Sequence, residues 1–463
     1  MHLVHSLGRA LTRGLAAWTL LATTVAAQAP ARQNGDAAPD LASSRARLAA
    51  ETYVAPPAEV AKLVTAPRHL NVVLTQQSPD RTHFLREISE GMPTVAKFGK
   101  PHYYFAGLQV DGAANRARSL TTRGLARLEV VEATTGRATL IEIPAGALAS
   151  GATWSPDGRQ IAFVANFDKA SHVYVADIAT GKSRALTPTK SPLLATLVTS
   201  VDWTSGGGSI VTVVVPENRS TEPTAPPVAT GPKVALWLDG AKSPQRQFAS
   251  LLEVPFEQQL MEYYVTGQLV TIDVKTRAVQ KIGAPAMISN VDPSPDGKYF
   301  RVTTMKKPFS YVVQYGSFGT VEEVWDASGK VLAEVAKRPL REVADTSSIP
   351  AAQRTDGGRR SVAWMPQGEG LYYLEAIAPA RGRPDSAATA GAPAGGANAR
   401  PDRLVKWSPP FGAGDTTTLY RSDAPIAQMV MSDDATTVFF GVNRSGTGEL
   451  FAVKLSEPEK KLQ

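Results

Sequence analysis

The chain has 463 residues, no cysteine and a formal net charge of +7. The missing cysteines exclude disulfides, thiolate metal sites and a cysteine nucleophile, while the length suffices to bury a sizeable core. Its basic residues form no Lys/Arg block and are not interleaved with aromatics, so no nucleic-acid partner is expected.

At the N-terminus, Arg9 and Arg13 flank the start of an apolar run from Gly14 to Val25, and Val25-Ala26-Ala27 supplies small residues for cleavage. This layout reads as a signal peptide over residues 1–27, the run being short of the roughly 20 residues that span a bilayer. Cleavage removes two arginines and no acid, lowering the formal charge from +7 to +5. A periplasmic or secreted protein is expected, with no membrane span after signal removal, because every later apolar run is broken by charge, Gly or Pro.

Residues 28–50 are small, polar and aperiodic and read as a disordered leader. Helical spacing is scarce beyond them, the best stretches being Pro57 to Val64 and Leu251 to Tyr263. The rest reads as short strands bounded by turn residues: Ile161 to Val164, His172 to Val175, Ile210 to Val215, Leu269 to Ile272, Val438 to Phe440 and Leu450 to Val453. Two tracts interrupt them, Pro223 to Pro232 and the low-complexity stretch 378–401, and both read as surface loops.

A degenerate repeat organises the strands. Its clearest copy runs from Trp154 to Thr187: a strand, the turn Ser155-Pro156-Asp157-Gly158, a hydrophobic strand, another strand, a hairpin at Asp177 to Gly181, and a last strand. Proline presets the turn, aspartate bonds back to the backbone and glycine takes the left-handed position. Partial copies stand at Ser78-Pro79-Asp80, Trp203 to Gly207, Ser294 to Gly297, Trp364 to Gly368 and Ser432 to Asp434, with hairpin echoes at Glu132 to Gly136, Asp273 to Arg277 and Trp325 to Gly329. Trp154 to Trp203 is 49 residues; Trp203 to Asp292 is 89, which reads as two such units. A period of about 40–50 residues with four strands per unit predicts an all-β β-propeller over 51–463, with six or seven blades, some incomplete in sequence.

Chemistry is sparse. No serine has glycines two residues to either side; Ser317 comes nearest, with Tyr315 in the first position, and no histidine follows His172, so the serine-hydrolase order fails. His69, His83, His102 and His172 have no metal-ligand spacing. Asp433-Asp434 and Glu322-Glu323 read as turn and edge-strand residues, and Gly206 to Gly208 as a hairpin turn. Arg359-Arg360 and Lys306-Lys307 read as solvated turn charges, with entry into the central channel toward acidic ligands as the alternative. No catalytic, cofactor-binding or metal-ligating residue is assigned, no cofactor is expected, and the substrate-binding residues are not identifiable.

From Tyr53 onward the chain resembles the N-terminal half of the prolyl oligopeptidase family of serine peptidases, in its glutamyl endopeptidase branch. The resemblance lies in Tyr53-Val54-Ala55-Pro56-Pro57, Ser78-Pro79-Asp80, Met92 to Ala96 with Ala106-Gly107-Leu108, Asp292 to Tyr299, Lys307 to Tyr311, Val324-Trp325 and Pro339-Leu340. It implies a propeller that gates an α/β-hydrolase domain. The chain stops at Gln463 before such a domain, so it is expected to be non-catalytic by itself, with a peptide or protein ligand and a hydrolase domain on a separate chain as partners. The alternative is a stand-alone periplasmic propeller, similar to TolB-like ones, that binds protein or peptide partners.

Overall fold

The computed structural model describes residues 41–50, 56–65, 76–227, 248–342, 358–377, 401–444 and 447–463. The proposed signal peptide lies outside them, as do His69 and nearly all of the 378–401 tract. Within the stretch read as a disordered leader, Leu41–Ala50 is helical. The chain divides into residues 1–61 and a large unit over 62–463. No described helix is long and apolar enough to cross a membrane.

The large unit is a series of antiparallel β-meanders. Blade 2 pairs Leu148–Trp154, Gln160–Asn166, Ser171–Asp177 and Ser183–Ala185 in chain order. Blades 3 (202–286), 4 (288–338), 5 (359–421) and 6 (426–462) repeat this four-strand order. Blade 1 (76–141) has three full strands, His83–Ser89, Leu125–Glu132 and Ala138–Ile141, and a first strand reduced to one bridge, Gln77 to Phe84. These are six propeller blades. The 89-residue interval after Trp203 is therefore one blade, not two: blade 3 carries a long insertion between Val214 and Gly267. An insertion lengthens a spacing without adding a sheet, and spacing alone does not separate the two cases.

Apolar alternation supplies the glue between sheets. Leu128, Val130 and Ile141 of blade 1 pack on Ile161 and Phe163 of blade 2, and Val173 and Val175 of blade 2 on Ile210 and Ile272 of blade 3. Phe300 and Val302 of blade 4 meet Val211 and Leu269, Trp364, Tyr373 and Trp407 of blade 5 meet Val324, and Phe440 and Val453 of blade 6 meet Leu374 and Leu404.

The tryptophans ahead of the turns do a second job. Trp154 donates its indole N–H to the Gln76 carbonyl (2.9 Å), Trp203 to that of Thr153 (3.4 Å) and Trp364 to that of Asp292 (3.0 Å). Each bond ties the first strand of one blade to the first strand of the blade before it. The turns are equally repetitive. Ser155 accepts from the Gln160 N–H (2.9 Å) and donates to Asp157 (2.6 Å), and Ser78, Ser294 and Ser432 do the same with His83 and Asp80, Tyr299 and Asp296, and Thr437 and Asp434.

The two sequence-predicted helices appear as Ala58–Thr65 and Pro255–Val265. Ala376 pairs with Asp402, so the 378–401 tract joins neighbouring strands of blade 5.

Candidate functional site

The connections between the second and third strands of blades 1, 3 and 4 build a cap. Blade 1 contributes residues 90–124, with the helix Val95–Phe98, a small sheet of Tyr103–Phe105, Leu108–Asp111 and Arg116–Ala117, and the short helix Arg118–Thr122. Blade 3 contributes the helix Pro255–Val265, and blade 4 the stretch 306–319. Phe105, Leu108 and Val110 pack with Leu260, Met261 and Tyr264 and with Phe309 and Phe318 in one core.

Buried polar groups fix the blade 1 insertion. Asp111 is nearly sealed from solvent and accepts from Thr121 (2.6 Å), with Lys100 at 3.0 Å and Arg116 at 3.8 Å. Arg116 also donates to the carbonyls of Phe167 (2.6 Å) and Ala170 (3.2 Å) in blade 2. Tyr103 donates to Glu222 at 2.6 Å, and burial first, then Glu222, pushes the Tyr264 phenol well above its usual range. Arg219 lies 4.1 Å over the Tyr263 ring.

The blade 1 insertion, with Thr196 to Thr199 and Tyr315, lines a cavity of about 660 Å³ whose apolar lining includes Pro93, Phe98, Leu108 and Leu197. Its polar lining includes Gln109, Ser119, Thr122, Tyr315, Arg118 and Arg123, and no carboxylate. The Arg118 guanidinium sits 4.7 Å over the Phe98 ring, donating to Gln109 (3.0 Å) and to the Phe98 carbonyl (2.7 Å). Its Nε is sealed from solvent without a hydrogen-bond partner among the described residues. Sequence reasoning missed this site. The available signal was an acid-free stretch from Gly112 to Leu128 carrying Arg116, Arg118, Arg123 and Arg127.

The paired charges Arg359-Arg360 and Lys306-Lys307 do not converge on one site. Arg359 stacks 4.1 Å over Trp407 and donates to the Glu334 carbonyl (3.0 Å), Arg360 pairs with the fully buried Asp402, and Lys307 pairs with Glu262 at 2.9 Å. Asp434 belongs to the blade 6 turn, Glu322 pairs with Arg301 (2.9 Å), and Glu323 accepts from Trp325 (3.0 Å). Ser317 closes a 3-10 turn, Tyr315–Ser317, between two strands. His83 lies beside Trp154, His102 on Tyr104, and His172 against Phe167, where burial lowers its pKa. Among the described residues no three metal-ligating side chains converge.

A separate, acidic feature lies on the first strands of blades 3 and 4. Burial, then the charge of Asp292, pushes Asp202 up to about 6. Asp292 is itself raised by burial, although Arg301 sits at 2.9 Å.

No family profile matches the chain. Two curated proteins do: a probable chloroplastic glutamyl endopeptidase of Oryza sativa subsp. japonica, 30% identical over 331 residues, covering 69% of this chain and 34% of that protein, and the Arabidopsis thaliana protein of the same name, 30% identical over 332 residues, covering 70% and 34%. The chain thus spans about a third of the length of these relatives. Among solved structures, the β-propeller domain of the Trilobed protease from Pyrococcus furiosus is similar at a TM-score of 0.32 and 10% identity, covering 66% of this chain and 69% of that one.

Proposed function

The chain belongs to the glutamyl endopeptidase branch of the prolyl oligopeptidase family, and from that premise we propose that it is the propeller portion that controls access to a serine-peptidase domain. The observation that supports the reading is how much of the relatives is matched: about a third of their length, and the matching chain folds here as a set of propeller blades. Family resemblance assigns the hydrolytic chemistry to an α/β-hydrolase portion. Among the described residues these blades offer no nucleophile elbow, since the nearest approach in sequence, Ser317, sits between two strands rather than between a strand and a helix. In such an assembly the propeller excludes water and folded proteins and admits extended peptide.

The test has two arms. The purified chain is treated with a fluorophosphonate probe and a fluorogenic peptide containing glutamate; no labelling and no cleavage are expected. It is then joined to the part of the rice relative that this chain does not match. Cleavage of short peptides, with folded proteins spared, is expected only while the propeller is present. Labelling of the chain alone, or equal cleavage of folded proteins with and without it, overturns the reading. We further propose export, on the N-terminal charge and apolar layout; sequencing of the mature protein should then begin at Gln28.

A further inference from the structure

We propose that the outward face of blade 6 is a self-association surface, which packs on the same face of a second copy of this chain in a two-fold dimer. Blade 6 turns Val438, Phe440, Val442, Phe451 and Val453 toward blade 5. The residues between them point the other way, and on that side Val430, Phe439, Leu450 and Leu462 are 66%, 50%, 69% and 64% exposed. Register brings them together. Val430 stands opposite Phe439, Phe439 opposite Ala452 and Ala452 opposite Leu462, so one apolar row crosses all four strands. Leu450 lies beside the row, opposite Gly441. Among the described residues the strands of the other blades expose large apolar side chains only singly, at Leu140, Val279 and Val331. Scattered residues of that kind need no partner, whereas a contiguous patch marks an interaction surface.

The chemistry of the face selects its occupant. The flanking Gln428, Thr437 and Asn443 are uncharged, and Lys454, opposite Thr437 at one end, is its single charge among the described residues. Such a face takes apolar sheet, as at the five seams between successive blades. Blade 1 of another copy does not offer that. Its outward side carries Arg86 and Arg127 on the buried Glu129, and covering this trio with Phe439 would desolvate three charges. A second blade 6 face presents apolar surface alone. A two-fold axis along the row sets Phe439 against Phe439 and sends the two Lys454 side chains to opposite ends. There each lysine stem covers a Leu450 of the other copy while its ammonium stays in water.

Area sets the strength. The four strands of blade 6, about 4.8 Å apart and about 20 Å long, present roughly 400–500 Å² a copy. The dimer thus buries about 1,000 Å², at the lower limit for specific interfaces. It forms in the micromolar range and dissociates on dilution.

Sedimentation velocity on the full chain tests this. The mass should rise from monomer to dimer between about 1 and about 100 μM and stop there, because a two-fold contact closes. Phe439→Lys sets two charges against each other on the axis and should weaken association at least thirtyfold. Leu450→Ala should weaken it about tenfold, since the lost apolar contact is counted once in each copy. Both residues are exposed, so their thermal melts should stay at the parent value. If that of Phe439→Lys falls, Val430→Thr, which keeps a strand-forming shape but adds a hydroxyl, takes its place and should weaken association about fivefold. Leu140→Lys, opposite Glu129 on the outward side of blade 1, should change nothing. The chain has no cysteine, so Ala452→Cys carries a single thiol, and a short bismaleimide should link two such chains. A chain that stays monomeric at about 100 μM or polymerises past the dimer overturns the proposal. So does a dimer indifferent to Leu450→Ala, or cross-linking of Ala452→Cys only to Leu140→Cys in a mixture of the two. None of these readings involves a hydrolase, so they bear on this surface and leave the gating proposal to its own test.

Discussion

At the residue scale the repeat works through backbone geometry. The Ser-x-Asp turns are four copies of one network, and hydrogen bonding, from Ser78 foremost, holds Asp80 down at about 2. Two glycines of blade 2 separate conformation from space. Gly158 (φ +69°) closes the first turn, and a Cβ there would rest 3.6 Å from Pro79. Gly181 (φ +67°) closes the hairpin, and a Cβ there would run into the Leu140 carbonyl of blade 1. Gly158→Ala should therefore show only the left-handed backbone penalty, about 1 kcal/mol. Gly181→Ala adds a backbone clash and should cost about 2–4 kcal/mol. Urea denaturation of both variants checks this, and equal losses would show that the carbonyl yields. The turn roles were legible in the sequence because each turn needs particular residue types. The closeness of Leu140 was not, since it depends on how adjacent blades dock.

At the scale of elements, the strands and the blade 3 cap helix Pro255–Val265 were legible and the blade 1 and blade 4 insertions were not. Short apolar and β-branched runs bounded by turn residues located Gln160–Asn166 and Ser209–Val214 to within a few residues, because both strands are buried along nearly their whole length. The blade 1 part of the cap lies in a segment without sustained periodicity, and Arg118 draws its meaning from Gln109 and Phe98, brought to it by the fold of that insertion. The same non-local character makes Arg116 a sensitive joint. It binds Asp111 and Thr121 within the insertion and two blade 2 carbonyls across it. Replacing it with methionine keeps much of the packing but leaves the two blade 2 carbonyls without this donor and Asp111 with Lys100 and Thr121 alone. Arg116→Met should cost about 3–5 kcal/mol, against about 0.5 kcal/mol or less for Lys281→Met in the exposed pair with Glu217 (2.6 Å). Chemical denaturation monitored by tryptophan fluorescence gives both, and a loss near 1 kcal/mol in Arg116→Met would mean that the insertion reseats without it.

At the scale of the whole molecule, six turn copies anticipated six blades, because every blade must reverse direction at the same place. What spacing concealed was the length of the blade 3 insertion, and what composition concealed was the pair of carboxyls contributed by successive first strands. That pair sets a pH dependence opposite to that of the turn aspartates. Asp202 has a folded-state pKa of about 6 against an ordinary 3.8, raised by burial and then by Asp292. The folded state thus holds the proton more tightly than the unfolded chain. The resulting stabilisation is complete below about pH 4 and is lost as pH rises through about 6. Asp80 acts in the other direction: its stabilisation is complete above about pH 4 and is lost as pH falls through about 2. Between pH 4 and 7 the Asp202 contribution should therefore appear without interference from the turns. Asp202→Asn keeps the size and a hydrogen-bonding side chain but cannot ionise. It should be more stable than the parent at pH 7.5 by about 1–2 kcal/mol, the full two-unit shift being reduced by solvent at this half-buried site. The two proteins should converge toward pH 4. Thermal unfolding across that range measures the gap, and a constant gap at every pH would assign the effect to packing rather than to the charge that Asp202 shares with Asp292.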